Sequence, residues 1–243
     1  MTALQSFLSA LGFFTRLPLP RLKASMPLAQ SAWTFPLAGV VIGALTACAY
    51  SALLWLGIRT GIAAWLALGF QMALTGGLHE DGLADTADGL AHGRSREEKL
   101  AILRDSRIGS YGVLALIIVL AVRAEAMTAL AYHGRMLWIM IAAGAGSRAG
   151  LAVLMHMLPH ARSDGLAANA GKVSRNQAVA AGTIGIALLW LTGHPLSGLL
   201  AASLACLIVG RVTCRQFGGT TGDTLGAAQQ VSEAMLLVIL TIK

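Results

Sequence analysis

The chain has 243 residues, of which 56% are apolar and only 12% charged, and its mean hydropathy is +0.70. A soluble globular domain of this length needs far more polar surface, so the composition excludes one and predicts a polytopic membrane protein, a single domain over residues 1–243. The net charge of +7 does not argue for nucleic acid, because the basic residues fall in loops between apolar runs, where the positive-inside rule accounts for them.

The first segment, residues 1–17, is apolar but too short to span and has aromatic residues near its end, which predicts an N-terminal interfacial or re-entrant helix broken by Leu17-Pro18-Leu19-Pro20. No secretory signal peptide is expected, since no basic residue precedes the run Phe7 to Phe14 and no clear cleavage site follows it. Arg21 and Lys23 follow in a polar loop. Trp33 to Leu56 reads as a first span with a Trp near each end and a GxxxG pair, Gly39 and Gly43, suited to close helix packing. Gly61 to Thr75 is a shorter second span. Beyond an acidic segment come a third span, Tyr111 to Tyr132, and a fourth, Met136 to Leu158. Residues 159–177 form a polar loop. Ala178 to Leu191 and Leu196 to Gly210 make a fifth and sixth span around Gly193-His194-Pro195, and Val231 to Ile242 is a last apolar run, long enough for a seventh helix if Leu225 to Gln230 joins it. The fold class predicted is an all-α transmembrane bundle of about six to seven spans. Cys48, Cys206 and Cys214 are far apart and form no CxxC pair, which argues against zinc and against a disulfide framework.

With the N-terminus in the cytoplasm, thirteen of the 18 Lys and Arg residues fall in the inside segments; Arg59, Arg135 and Lys243 fall outside, and Arg123 and Arg148 within spans. That asymmetry orients the chain and places every polar, motif-like segment at the cytoplasmic face.

The chain is organised around Gly76 to Gly112, which holds Glu80, Asp81, Asp85, Asp88, Glu97, Glu98 and Asp105, seven of its 11 acidic residues. Asp81, Asp85 and Asp88 stand at i, i+4 and i+7, within a sector of about 60° on a helix, where unpaired carboxylates repel. A hard divalent cation removes that repulsion, and Mg²⁺ is commonly held by one or two carboxylates plus substrate phosphates. The alternative is a solvated acidic face at a helix end. Arg96 to Arg104 is a short amphipathic helix. Asp105-Ser106-Arg107-Ile108-Gly109-Ser110-Tyr111-Gly112 leads into the third span and Gly218-Gly219-Thr220-Thr221-Gly222-Asp223-Thr224 into the last helix. Each combines glycines, hydroxyls and a carboxylate at a helix start, a setting that suits either a phosphate or a simple capped helix. Together with the aspartates they predict phosphoryl or nucleotidyl transfer, with arginines steadying a leaving phosphate. His79 is adjacent and is a candidate general base or hydrogen-bonding group, and His92 a weaker one. Within the spans, Arg148 pairs with Glu125 or, with Arg123, lines a polar cavity; Gly144, Gly146 and Gly150 predict close packing around Arg148.

With those residues in view, the chain resembles the adenosylcobinamide-GDP ribazoletransferases, also called cobalamin synthases. The resemblance runs through Phe14-Thr15-Arg16-Leu17-Pro18, Phe35-Pro36-Leu37-Ala38-Gly39, the long motif Gly76 to Gly89, Asp105-Ser106-Arg107-Ile108-Gly109 and Gly219-Thr220-Thr221-Gly222-Asp223-Thr224, in that order and over nearly the whole chain. It implies a Mg²⁺-dependent enzyme of the bacterial inner membrane that joins adenosylcobinamide-GDP to α-ribazole or its 5′-phosphate and releases GMP, the last step of cobalamin nucleotide-loop assembly. On the motif positions, Asp81, Asp85 and Asp88 would hold Mg²⁺, while Arg104, Arg107, Ser106, Gly109, Thr220, Thr221 and Asp223 would steady the nucleotide. Glu80 is a further metal candidate, although it points about 100° away from Asp81 on a helix. The implied partners are these substrates and the lipid bilayer, with no nucleic acid; a homo-oligomer is left open. Two other families fit the residues less well. A CDP-alcohol phosphotransferase expects Ala-Arg after Asp-Gly-x-x, where this chain has Ala84-Asp85. A transporter expects its carboxylates near mid-membrane rather than at one edge.

Overall fold

The computed structural model describes residues 2–20, 27–132 and 134–242, so the loop residues Arg21 and Lys23 and the terminal Lys243 lie outside the described residues. The protein is an all-helical bundle whose only strand-like pairing among the described residues is an isolated bridge between His160 and Thr220.

Helix α1 (Ala3–Phe14) starts at a capping box of Thr2 and Gln5 and stops before Pro18 and Pro20, which cannot continue a helix. It buries Ser6, Ala10, Leu11 and Phe14 and leaves Leu4 and Phe13 exposed. A 3₁₀ segment, Leu28–Thr34, leads into α2 (Phe35–Trp55). Then follow α3 (Thr60–Thr75), α4 (Leu78–His92), α5 (Arg96–Ile102), α6 (Ser110–Leu130), α7 (Met136–Met157), α8 (Leu166–Ala170), α9 (Arg175–Leu189), α10 (Pro195–Phe217) and α11 (Gly222–Ile239).

Four segments are long and apolar enough to cross a membrane: Leu28–Trp55, Ser110–Leu130, Met136–Met157 and Pro195–Phe217; counting α3 and α4 as one bent unit makes five. The other expected spans are present as helices with a different character. α9 has 15 residues. α11 has 18 and carries Gln229, Gln230, Ser232 and Glu233, all 2% exposed or less. It is enclosed by α4, α6, α7 and α10, so its polar residues face protein rather than lipid.

α7 is the other central helix, buried on nearly every face and packed on α2, α9 and α11. The GxxxG pair works as expected: a Cβ at Gly39 would collide with the Gly144 carbonyl, and one at Gly43 with the Met140 carbonyl. Small residues let the α2 and α7 backbones touch, which replaces the missing hydrophobic drive by dispersion.

The bend between α3 and α4 is 95°. Gly76 and Gly77 make it, with φ of 69° and 68°, a left-handed pair that only glycine adopts at little strain. Gly76 caps α3 by donating its N–H to the Met72 carbonyl, and Gly77 starts α4. The bend turns the acidic helix out of line with α3.

Candidate functional site

The site is built where α4 crosses α11. A Cβ at Gly82 would lie 2.7 Å from the Asp223 carbonyl oxygen and 2.9 Å from its Cα, and one at Gly226 would lie 3.2 Å from the Gly82 Cα. The two helices therefore meet backbone to backbone, and the start of α11 is delivered to the aspartate face of α4. Asp81 is exposed, Asp85 half-buried and Asp88 buried. Burial first, then the charges of Asp81, Asp223 and Asp88, push the Asp85 carboxyl up to about 7. Asp223 is also raised by burial, an effect partly offset by Arg162 and the Thr221 hydroxyl. Four carboxylates thus share one neighbourhood, three from the expected helix face and one from the first turn of α11, 135 positions beyond Asp88.

The site residues named from the sequence separate into distinct roles. Asp88 has both oxygens engaged: Gly109 N–H donates to Oδ2 at 2.7 Å and Gly112 N–H to Oδ1 at 2.9 Å. It caps α6 from a neighbouring helix, so the free amides at that helix start, which suited a phosphate, are taken by a carboxylate. Gly112 has to be glycine here, since a Cβ would lie 2.5 Å from Asp88 Oδ2. Glu80 turns away from the aspartates: Gln230 Nε2 donates to its Oε1 at 2.9 Å, and Arg123 lies 3.8 Å away. His79 is buried and stacks on Phe14 at 5.5 Å between ring centroids. His92 has its ring 3.3 Å from the Asp88 carbonyl and edge-on to Tyr111.

The loop arginines are committed to local acids. Arg104 makes a two-pronged bond to Asp164 at 2.7 and 2.8 Å, and Arg107 folds back on Asp105 at 2.7 Å. The Arg107 bonds hold the exposed Asp105 carboxyl below its usual range. Ser106 is exposed. On the second loop, Thr221 caps α11 through a box with Thr224 and donates its hydroxyl to Asp223 at 3.2 Å. Thr220 is buried in the bridge to residues 159–161, donating its N–H to the Pro159 carbonyl at 2.8 Å and accepting from Ala161 at 2.9 Å. The threonine loop is therefore a capped helix start that presents Asp223.

Three further residues were not singled out for the site by sequence reasoning. Arg162 sits 3.5 Å from Asp223; a single Arg in a polar loop carries no signal of its own. Arg16 lines a cleft of about 690 Å³ together with Gly76, Glu80 and Asp81. Glu233 organises a buried ionic network beneath the site. It accepts from Arg123 at 2.6 Å and lies 3.3 Å from Arg148, with Gln71, Gln229, Gln230 and Ser147 completing the bonds. The expected pairing of Arg148 with Glu125 does not form: Glu125 is exposed, while Arg148 faces Glu233 across the α7–α11 contact.

Among the described residues, no group of three or more His, Cys, Asp or Glu side chains is arranged to hold a metal ion by itself. A closed structural site is not what the donor set suits. Clustered carboxylates with one, Asp81, exposed and another, Asp85, raised by burial and then by like charge suit a hard cation held by one or two carboxylates, the rest of its shell coming from phosphate and water.

The chain is matched from residue 6 to residue 241 by the family described as cobalamin-5-phosphate synthase. It is 44% identical over 235 residues to an adenosylcobinamide-GDP ribazoletransferase of Bradyrhizobium diazoefficiens, covering 95% of this chain and 90% of that one. It is 44% identical over 233 residues to the protein of the same name from Mesorhizobium japonicum, with the same coverage. A Ralstonia pickettii protein of that name is 39% identical over 249 residues, covering 96% of this chain and 93% of its own. No solved structure matches the chain. A match over nearly the whole length, at this level of identity and with the aspartate helix and threonine loop joined in one site, settles the matter: the chain belongs to the cobalamin-5-phosphate synthase family.

Proposed function

We propose that this protein is a membrane-embedded transferase that joins adenosylcobinamide-GDP to α-ribazole or α-ribazole 5′-phosphate and releases GMP. Family membership and the names of its relatives support the reaction. The observation that carries the site is the convergence of Asp81, Asp85 and Asp223 at the α4–α11 crossing, with Asp85 raised to about 7.

In the proposed reaction a ribazole hydroxyl oxygen bonds to the phosphorus that stays with cobinamide. The bond from that phosphorus to the bridging oxygen breaks, and GMP leaves with the bridging oxygen. The hydroxyl proton passes to solvent or to a site carboxylate. Asp81 and Asp85 are the residues that would hold Mg²⁺, with Asp223 beside them. A bound Mg²⁺ supplies charge neutralisation on the diphosphate and lowers the barrier to its cleavage. Asp88 positions the cluster by tying α4 to the start of α6. Arg162 holds Asp223 in place. His79, buried against Phe14, packs α4 into the bundle. The site faces the cytoplasm of the bacterial inner membrane in this reading, as the distribution of basic residues argues.

The test is GMP release from purified protein in liposomes with adenosylcobinamide-GDP, α-ribazole and Mg²⁺. Release should require all three and fall at least about 100-fold in Asp85→Asn, the scale of losing a principal electrostatic contact in a transition state. Absence of GMP from well-folded wild-type protein would sink the reaction; full activity in Asp85→Asn would sink the site.

A further inference from the structure

We propose that Arg16 is an anion-binding residue of the site, taking a phosphate oxygen of a nucleoside diphosphate ligand whose other side lies at Asp81. This inference rests on the reading above for its substrate. Its geometry is independent of that reading.

The cleft of about 690 Å³ has the end of α1 on one wall and the first turn of α4 on the other. Arg16 is held at its rim by three contacts. Thr15 ends α1 by donating its hydroxyl to the Leu11 carbonyl at 2.7 Å. The Arg16 N–H donates to the Leu74 carbonyl at 2.7 Å, which fixes this loop to the end of α3. The guanidinium lies against Gly76, where a Cβ would stand 3.1 Å from one terminal nitrogen and 3.2 Å from the central carbon. Besides its positive φ, Gly76 leaves room for the Arg16 side chain to lie across the bend.

The charge is placed but not used. Among the described residues, Arg16 has no carboxylate partner and no side-chain hydrogen bond, whereas Arg104 and Arg107 are both engaged by acids. The opposite wall is acidic, with Glu80 and Asp81 in its lining. Glu80 is 7% exposed and lines the same cleft, yet its Oε2 is buried without a hydrogen-bond partner while its Oε1 is held by Gln230. Phosphate oxygens of a nucleoside diphosphate ester would complete the Arg16 wall of this cleft, with Asp81 on the other. The guanidinium fork suits phosphate better than an ammonium does.

A phospholipid headgroup offers the same phosphate chemistry, so the experiment separates the two sources. Binding of Mg²⁺-GDP is measured by equilibrium dialysis in alkyl maltoside micelles free of phospholipid, alongside steady-state GMP release. Replacing Arg16→Ala should weaken GDP binding and raise KM for adenosylcobinamide-GDP about 10- to 100-fold, the scale of one charge-assisted hydrogen bond. kcat should stay within a few-fold, KM for α-ribazole should not move, and Arg16→Lys should recover part of the loss. Unchanged GDP binding and KM in Arg16→Ala, with a wild-type melting profile, would overturn the proposal. So would a defect that appears only when phosphatidylglycerol or phosphatidylethanolamine is added, which would assign Arg16 to a lipid. A wild-type protein that releases no GMP but loses GDP binding in Arg16→Ala would overturn the proposed reaction and leave the Arg16 assignment standing.

Discussion

Two charged clusters lie one above the other, and they are balanced in opposite ways. In the interior, Glu233 stands between Arg123 and Arg148, with Glu80 near Arg123 as a second negative charge. At the α4–α11 crossing, Asp81, Asp85, Asp88 and Asp223 share a neighbourhood with Arg162 as their near cation, 3.5 Å from Asp223. The interior cluster is complete within the chain. The upper one has surplus negative charge, which a proton on Asp85 or a cation from outside would relieve. A charge in an apolar protein that already has its partners reads as architecture; one still lacking them reads as a place for something from outside.

The contrast is most strongly broken by removing Glu233. Glu233→Ala leaves two guanidiniums buried without their shared carboxylate, which is expected to destabilise the protein by about 3–5 kcal/mol. Thermal melting in detergent should show a large loss of folded protein. A melting profile like that of the wild type would mean that water or the glutamines take over the role of Glu233.

The upper cluster should respond in the other direction. Asp85 has a folded value of about 7 against an ordinary 3.8. Ionising it therefore opposes folding, and that penalty is absent below about pH 4 and complete above about pH 7. In the absence of divalent cation, Asp85→Asn should melt above the wild type at pH 8 and converge with it at acid pH. In the proposed site Mg²⁺ would bind the carboxylate form, so the rise in melting temperature produced by Mg²⁺ should grow as pH increases through about 7. A Mg²⁺ effect that is flat from pH 5.5 to 8, or one equally large in Asp85→Asn, would remove Asp85 from the metal site.

The smallest effect is expected at Arg104. Its pair with Asp164 is exposed on both sides, and such pairs contribute about 0–1 kcal/mol. Arg104→Ala should therefore change stability little and alter GMP release by no more than a few-fold. A loss of two orders of magnitude would return Arg104 to the role first read from the motif.

Much of this was legible in the chain because the signals are local. The i, i+4, i+7 spacing of Asp81, Asp85 and Asp88 carries the helix face, and Thr221 to Thr224 carries the cap of α11. Gly39 and Gly43 carry a close helix contact, though not its partner, α7. What stayed hidden depends on which helices meet. Gly82 and Gly226 read as ordinary glycines within helices until the crossing leaves no room for a Cβ at Gly82 and little at Gly226. Glu233 sits inside a run that looks apolar, so the sequence offers Arg148 only Glu125, the acid nearer in sequence, or a polar cavity shared with Arg123. Asp88 was legible as a carboxylate, but not as the cap of α6, because its partners lie more than 20 positions further on.

The polar character of α11 also bears on how the protein is made. A helix carrying Glu233, Gln229 and Gln230 is a poor candidate for entering lipid alone, since an acid at mid-bilayer depth costs about 2.5–3.5 kcal/mol or more on insertion scales. Its partners Gln71, Arg123 and Arg148 all precede it in the chain. A ribosome therefore delivers the two arginines to the membrane first and the helix that satisfies them last, so insertion of α11 is coupled to closure of the bundle. A nascent chain halted before Gly222 would hold Arg148 without its carboxylate and Arg123 with only Glu80 and Gln71 near it, an exposed signal for membrane quality-control proteases.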